Sequence, residues 1–214
     1  MTIIITGGLV DSSLDIGNKK TDYDRLIACD HGMDFCYFKK IKPDVIMGDF
    51  DSASTEALDY YRNIDGVELK QFPTEKDGSD TELAIRCACE LGEKNIDIYG
   101  AFGSRIDHML ANIQLLKMAA LEGVNLRLID SNNIVRLLTS GEHWFSAEEL
   151  FGDYISFIPF TDVVKGLSLS GFKYNLEDYD YFTGISLGVS NEVESSEVEI
   201  SFDEGYLIMI ESRD

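Results

Sequence analysis

The sequence predicts an α/β protein in which an N-terminal parallel-sheet α/β domain precedes a small antiparallel β-sandwich domain. Up to about residue 131, short apolar runs alternate with amphipathic helical segments, as in βα units that feed a parallel sheet. After about residue 133, short alternating strands and turn signals replace that pattern. The 214 residues are 44% hydrophobic and 11% aromatic, which supplies enough apolar side chains for folded cores. We therefore divide the chain into residues 1–131 and 132–214.

The strands are expected where short runs are apolar or β-branched, and most of these runs end at Asp, Gly or Pro. In the first half they are residues 2–6, 25–29, 45–47, 67–72, 96–99 and 126–129. In the second half they are residues 134–138, 154–158, 163–169, 198–202 and 206–210. Ser140-Gly141 is interpreted as a turn, and Asp203-Glu204-Gly205 as the turn of a hairpin between the last two strands.

Helices should fill the gaps between the first six strands, and two of them are well marked. Residues 80–91 begin with capping-box spacing between Ser79 and Glu82, and Gly92 supplies a stop. Residues 106–121 end at Gly123 and carry an apolar stripe that we expect to face the core. The stripe consists of Ile106, Met109, Leu110, Ile113, Leu116 and Ala120.

Charge and composition exclude several classes of function. With 39 acidic and 18 basic side chains the net charge is −21, and such a chain lacks the Lys and Arg that bind nucleic acid. The sequence has no leader pattern and no run of about 20 apolar residues, so we expect a cytoplasmic protein with no membrane partner. The four cysteines lack paired CxxC spacing and are expected to be reduced, mostly core-filling thiols.

Acidic residues recur just after the predicted strands, where open parallel sheets bind their ligands. Asp30 follows the second strand, Asp49 and Asp51 follow the third, and Asp77 and Asp80 follow the fourth. Two carboxylates two residues apart in an extended segment point to one side and suit Mg²⁺, which uses one or two carboxylates plus substrate phosphates. An ordinary solvated loop is the alternative for Asp49 and Asp51 taken alone.

The loop after the fifth strand offers positive charge instead. Gly103 and Ser104 lead into a helix N-terminus, which favours anions, and Arg105 adds a fork suited to phosphate oxygens. Lys76 supplies a second candidate cation. The alternative is that Arg105 pairs with Asp107, and His108 fits a structural role as well as a catalytic one.

Five motifs, taken in order and spacing, resemble those of thiamine pyrophosphokinases. They are Asp30-His31-Gly32, Gly48-Asp49-Phe50-Asp51-Ser52, Lys76-Asp77-Gly78-Ser79-Asp80, Gly103-Ser104-Arg105-Ile106-Asp107-His108 and Ser190-Asn191-Glu192. The resemblance spans nearly the whole chain. His31 and Ser104 stand where the family more often has Gly, and Ser79 stands where it usually has Thr.

The resemblance implies Mg²⁺-dependent transfer of a pyrophosphoryl group from ATP to the hydroxyl of thiamine, giving AMP and thiamine diphosphate. It assigns Mg²⁺ to Asp49, Asp51 and Asp77, which makes residues 1–131 a catalytic domain that binds nucleotide and metal. The nucleotide and transfer site would be lined by Asp30, Lys76, Ser79, Asp80, Arg105, Asp107 and His108. Ser190 and Asn191 would bind thiamine in the β-domain, and the family implies a homodimer.

Two other functions stay open on the sequence. The run 45–51 superficially resembles the apolar-run-then-Asp-x-Asp of aspartate-nucleophile phosphohydrolases, although Gly48 and Ala53 depart from that pattern. A sensor that binds nucleotide or thiamine without turnover is the third hypothesis.

Overall fold

The structure, a computed structural model, describes residues 1–12, 16, 23–51, 54–73 and 78–214. The chain divides into two compact units, Met1–Ser131 and Asn132–Asp214. None of the helices in these described stretches is both long and apolar enough to cross a membrane.

In the described residues of the first unit, six parallel strands form a sheet and four helices connect them. The strands are β1 (Thr2–Ile5), β2 (Arg25–Cys29), β3 (Val45–Gly48), β4 (Glu68–Gln71), β5 (Asn95–Tyr99) and β6 (Asn125–Ile129). The helices are α1 (His31–Lys39), α2 (Thr55–Arg62), α3 (Asp80–Glu90) and α4 (Ile106–Leu121). Every predicted strand of this half is present within one residue of its expected ends, as are both predicted helices.

The order of the strands determines where a ligand can bind. The sheet runs β6-β5-β1-β2-β3-β4, and each neighbouring pair is parallel. From β1 the chain builds outward through β2, β3 and β4, and then returns to the other side of β1 to add β5 and β6. The carboxyl ends of β1 and β5 therefore flank the switch point at which doubly wound sheets hold their ligands.

Helix α4 presents only part of the predicted stripe to the core. Its buried residues are Asn112, Leu116 and Ala119, whereas Ile106 is 67% exposed and Leu110 is 54% exposed. The side-chain amide of Asn112 donates a hydrogen bond of 2.7 Å to the carbonyl of Ala101, which follows β5. A buried carbonyl needs a donor, so this bond turns the polar Asn112 inward and rotates part of the apolar stripe outward.

The four cysteines are free thiols, as predicted. Cys29, Cys36 and Cys87 are buried and Cys89 is partly buried. Burial raises the pKa of Cys36 to about 12, which keeps its thiol protonated and unreactive at neutral pH.

The second unit is antiparallel. Its strands are β7 (Asn133–Ser146), β8 (Tyr154–Pro159), β9 (Val163–Ser170), β10 (Leu176–Phe182) and β11 (Glu197–Ser212). Strand β7 pairs with β11 along both halves of β11, β8 and β9 each pair with one half, and β10 pairs with β9. Phe157, Leu167, Tyr181, Ile200 and Leu207 lie in a hydrophobic core cluster of this unit. Parallel strands followed by antiparallel strands confirm the predicted fold class.

Both turn predictions in this half are wrong. Gly141 lies inside β7, opposite Phe202, and the Asp203-Glu204-Gly205 segment is an irregularity inside the continuous strand β11. The β8–β9 connection packs into this irregularity, because the Tyr206 amide donates to Thr161 Oγ1 at 3.1 Å. A Cβ on Gly205 would lie 2.7 Å from that same oxygen. The turn-forming residues 203–205 form a β-bulge instead of a hairpin turn, because β7 pairs with β11 on both sides of them.

Candidate active site

The first unit contains a cavity of about 310 Å³ at the carboxyl ends of β1, β2 and β5. It is lined by Thr6, Gly7, Gly8, Cys29, Asp30, His31, Ser79, Asp80, Thr81, Gly100, Ala101, Phe102, Gly103, Ser104, Arg105, His108 and Asn112. Five of the predicted site residues meet there, namely Asp30, Ser79, Asp80, Arg105 and His108, and the motif residues His31 and Ser104 also line the cavity.

Glycines let two loops close the floor of this cavity. The amide of Gly8 donates to the carbonyl of Gly100 at 3.0 Å, and the amide of Leu9 donates to the carbonyl of Phe102 at 2.8 Å. A Cβ on Gly8 would lie 2.1 Å from the Gly100 oxygen. The close approach of the loops after β1 and β5 therefore requires glycine at position 8.

Three helices begin at the rim of the cavity. Helix α1 follows Asp30, α3 follows Ser79 and α4 follows Arg105. Ser79 acts as the predicted N-cap, since its hydroxyl accepts a hydrogen bond of 3.2 Å from the Glu82 amide. Helix N-termini carry partial positive charge and unpaired N–H groups, so this rim favours an anionic ligand.

The floor of the cavity is acidic at its β2 side. Burial, followed by the negative charges of Asp30 and Asp80, raises the pKa of the Cys29 thiol. Two carboxylates therefore act on the same buried group from β2 and from the start of α3. Carboxylates close to an anion-binding rim are typical of sites in which a cation binds both the carboxylates and an anionic ligand.

The loop after β3 carries Asp49 and Asp51, and it is a turn rather than the extended segment that the sequence suggested. Phe50 has a φ of 64°, and Asp49 Oδ1 accepts a hydrogen bond of 3.0 Å from the Asp51 amide. Left-handed backbone costs a Phe about 1–3 kcal/mol, and the ring compensates by packing against the core cluster of the unit. The core thus holds a strained turn that displays two carboxylates.

Gly48 brings that turn close to the cavity. A Cβ at this position would lie 2.0 Å from Asp30 Oδ1, so only glycine lets the Asp30 carboxylate reach the backbone directly before Asp49. Asp49 and Asp51 do not themselves line the cavity.

Of the three predicted metal ligands, Asp49 and Asp51 are among the described residues. Asp77 lies outside them, as do Lys76 and Ser52. Among the side chains that are described, no group of three or more His, Cys, Asp or Glu residues could hold a metal ion. Asp49 and Asp51 nevertheless offer hard oxygen donors in the number that Mg²⁺ takes from a protein when substrate phosphates and water complete its shell. The donor chemistry therefore fits magnesium.

Arg105 pairs with Asp107, as the alternative interpretation expected, and it also lines the cavity. Its Nε donates to Asp107 Oδ1 at 3.2 Å, and its Nη2 donates to Oδ2 at 2.6 Å. The hydrogen bond from Arg105 lowers the pKa of Asp107 to about 2. Both side chains are well exposed, so the pair is a surface one that a ligand can replace.

The second predicted site lies in the other unit, at Ser190 and Asn191. Ser190 is exposed with a φ of 57°, and its amide donates to Ser156 Oγ at 3.0 Å. Asn191 is 3% exposed, and its amide group binds the backbone of Tyr174 at both the N–H and the carbonyl. The structure therefore shows a structural function for Asn191 and an accessible hydroxyl at Ser190.

Sequence reasoning missed Asp34, which lies one turn into α1. Its Oδ2 is 3.0 Å from His31 Nδ1, and its Oδ1 accepts from the Ser54 amide at 3.1 Å. The i,i+3 spacing of His31 and Asp34 was the available signal.

This fold and this cavity define an α/β protein with a ligand-sized cavity at the carboxyl ends of the central strands of a parallel sheet. Residues 18–128 match the family described as "Thiamin pyrophosphokinase, catalytic domain", and residues 142–207 match "Thiamin pyrophosphokinase, vitamin B1 binding domain". The thiamine pyrophosphokinase of Bacillus subtilis (strain 168) is 35% identical over 213 residues, which cover 99% of this chain and 98% of the relative. This chain belongs to the thiamine pyrophosphokinase family.

Further relatives agree. Thiamine pyrophosphokinase 1 of Oryza sativa subsp. japonica is 28% identical over 184 residues, covering 81% of this chain and 68% of the relative. The crystal structure of the Bacillus subtilis thiamine pyrophosphokinase superposes with a TM-score of 0.88 at 35% identity and covers 100% of both chains. The thiamin pyrophosphokinase from Candida albicans has a TM-score of 0.84 at 16% identity over 99% of this chain and 89% of that one, which shows a shared fold.

Proposed function

We propose that this chain is a thiamine pyrophosphokinase that transfers a pyrophosphoryl group from ATP to thiamine. The observation that carries the proposal is the cavity at the switch point, where three helix N-termini and Arg105 meet above the acidic floor at Asp30 and Asp80. Membership of the family supplies the two substrates and the reaction.

The nucleotide polyphosphate fits the rim of the cavity. Ser79 and Ser104 place hydroxyls there, His108 lies in the first turn of α4, and Arg105 adds a planar fork that matches phosphate oxygens. On binding, Arg105 exchanges the carboxylate of Asp107 for a phosphate, and both groups are exposed enough to do so. Lys76 would add a further positive charge.

Magnesium would be held by Asp49, Asp51 and Asp77. When bound, it supplies charge neutralisation on the phosphates that a chain of this acidity cannot supply from its own side chains. The turn at Phe50 is the part of the protein that fixes where these two described carboxylates stand.

In the transfer, the thiamine hydroxyl oxygen forms a bond to the β-phosphorus of ATP, and the bond from that phosphorus to the bridging oxygen of AMP breaks. The hydroxyl proton passes to a carboxylate of the site, and AMP leaves with the bridging oxygen. The protein's own contribution is positioning and stabilisation of charge on the transferred group, the main terms in phosphoryl transfer.

The β-unit, residues 132–214, is proposed to bind thiamine through Ser190. Asn191 supports that contact by holding residues 174 and 192 in place. The acidic residues near Ser190 in sequence, which include Glu192 and Glu194, suit the positively charged thiazolium ring of thiamine. A homodimer is proposed from the family alone.

The test is a product assay with ATP, Mg²⁺ and thiamine that separates AMP, ADP and free phosphate, with and without thiamine. AMP and thiamine diphosphate in equal amounts are expected. ADP would indicate a monophosphoryl kinase, phosphate released without thiamine would indicate a hydrolase, and binding without turnover would indicate a sensor. Asp51→Asn should abolish turnover while thiamine affinity stays. Asp59→Asn, which neutralises an exposed carboxylate paired with Arg62 on α2, is the matched control.

A further inference from the structure

A histidine on the wall of the cavity has an orientation set by the protein. His31 is the first residue of α1, and its side chain lines the cavity. The ring lies beside the loop after β1, because a Cβ on Gly7 would be 3.5 Å from His31 Cβ and 3.7 Å from Cδ2. The side chain remains 53% exposed, so a ligand in the cavity can reach it.

Asp34 determines which ring nitrogen is available. The Nδ1 of His31 lies 3.0 Å from Asp34 Oδ2, and the other oxygen of that carboxylate accepts from the Ser54 amide at 3.1 Å. The carboxylate is therefore held from two sides and can only accept from the ring, which assigns a proton to Nδ1. Nε2 is left as the polar atom that can meet a ligand.

The surroundings indicate an anionic partner for Nε2. His31 shares the cavity with the N-termini of α1, α3 and α4, and the other titratable side chains among its described lining residues are Cys29, Asp30, Asp80, Arg105 and His108. The Asp34 carboxylate at Nδ1 and a phosphate at Nε2 are both hydrogen-bond acceptors, so each ring nitrogen would bind its partner as a donor.

We propose that His31 contacts the polyphosphate of the bound nucleotide through Nε2 and that Asp34 is the positioning residue that orients its ring. The proposal rests on the proposed function only for the identity of the ligand as a nucleotide. It adds a phosphate contact from α1 to the one that Arg105 provides from α4.

The experiment measures equilibrium binding of ATP, ADP, AMP and adenosine by calorimetry to the full chain and to His31→Ala, His31→Gln and Asp34→Asn. We expect His31→Ala to weaken ATP binding about tenfold, as for a hydrogen bond to a charged group. The loss of affinity in His31→Ala should decrease from ATP to ADP to AMP, and adenosine should bind the variant as tightly as the wild type. His31→Gln, a neutral donor, and Asp34→Asn, which keeps an acceptor for Ser54, should give intermediate losses.

Asp59→Asn is the control, because it removes an i,i+3 pair on α2 outside the cavity. In steady-state assays KM for ATP should rise in His31→Ala, while kcat, KM for thiamine and the thermal midpoint stay unchanged.

Undiminished ATP affinity in His31→Ala would overturn the proposal. A loss that persists with adenosine would also overturn it, because it would place the contact on the base or ribose. A wild-type chain that binds ATP but makes no thiamine diphosphate would contradict the proposed function alone. The binding measurements would still show whether His31 contacts the polyphosphate.

Discussion

The guanidinium of Arg105 lies across both carboxylate oxygens of Asp107, with distances of 3.2 Å from Nε and 2.6 Å from Nη2. Of the described residues that line the cavity, Arg105 is the one Arg or Lys side chain. The pair therefore keeps the cation of the cavity compensated and oriented at the start of α4.

Removing this cation should weaken nucleotide binding. Arg105→Gln is expected to raise the dissociation constant of ATP by about 10- to 100-fold, because hydrogen bonds to charged groups contribute about 1.5–3 kcal/mol. Calorimetric titration with ATP checks this. Arg62→Gln removes an exposed Arg that pairs with a carboxylate on α2 and should leave the affinity unchanged. Equal losses in the two variants would indicate a general charge effect instead.

The same pair predicts the titration of Asp107. Its pKa is lowered to about 2 by the hydrogen bond from Arg105, whereas an unfolded Asp titrates near 4, at about 3.9. A depressed pKa stabilises the folded state above the unfolded value, and this contribution is lost as the pH falls from about 4 to about 2. Carboxyl-detected NMR titration should place the midpoint near 2 in the wild type and near 4 in Arg105→Gln. A wild-type midpoint near 4 would show that the pair does not persist in solution.

The floor of the cavity should tolerate a methyl group at one glycine and not at its neighbour. Gly8→Ala places a Cβ 2.1 Å from the Gly100 oxygen and 2.5 Å from the Phe102 oxygen, both of them backbone atoms. We expect a loss of about 1–3 kcal/mol in the free energy of unfolding, together with weaker ATP binding. At Gly7 the nearest atom is 3.5 Å away, so Gly7→Ala should stay within about 0.5 kcal/mol of the wild type. Chemical denaturation measures both, and equal stability of the two variants would contradict the close approach.

The sequence predicted the parallel half well because its strands are buried apolar runs that end at polar residues. It also located Asp30, Ser79 and Arg105 around one cavity, since parallel strands bring their carboxyl ends together. What it did not predict depends on contacts distant in sequence. The bulge at residues 203–205 forms because β7 pairs along all of β11 and Thr161 binds Tyr206.

Two further features could not be predicted from the sequence, because they also depend on contacts between residues that are distant in the chain. Asn112 of α4 is buried and bonds the carbonyl of Ala101, whereas Ile106 and Leu110 of the apolar stripe are exposed. The left-handed turn at Phe50 contradicts the residue's own preference, and it is held by packing of the ring against the core. Local pattern carries no information about either contact, so strained functional turns are where such predictions fail.

Substitutions at the neighbouring residues Ser190 and Asn191 should affect different properties, KM for thiamine at Ser190 and stability at Asn191. Asn191→Ala removes both hydrogen bonds that the buried Asn191 side chain makes to the backbone of Tyr174, so we expect a loss of about 1–3 kcal/mol in the free energy of unfolding. Ser190 is exposed, and Ser190→Ala keeps the backbone bond to Ser156. That variant should therefore keep its stability and raise KM for thiamine several-fold, with KM for ATP unchanged. Denaturation curves and steady-state kinetics on both variants provide the measurement. A fully stable Asn191→Ala that has lost thiamine binding would reverse the assignment and place the amide of Asn191, rather than the hydroxyl of Ser190, against the substrate.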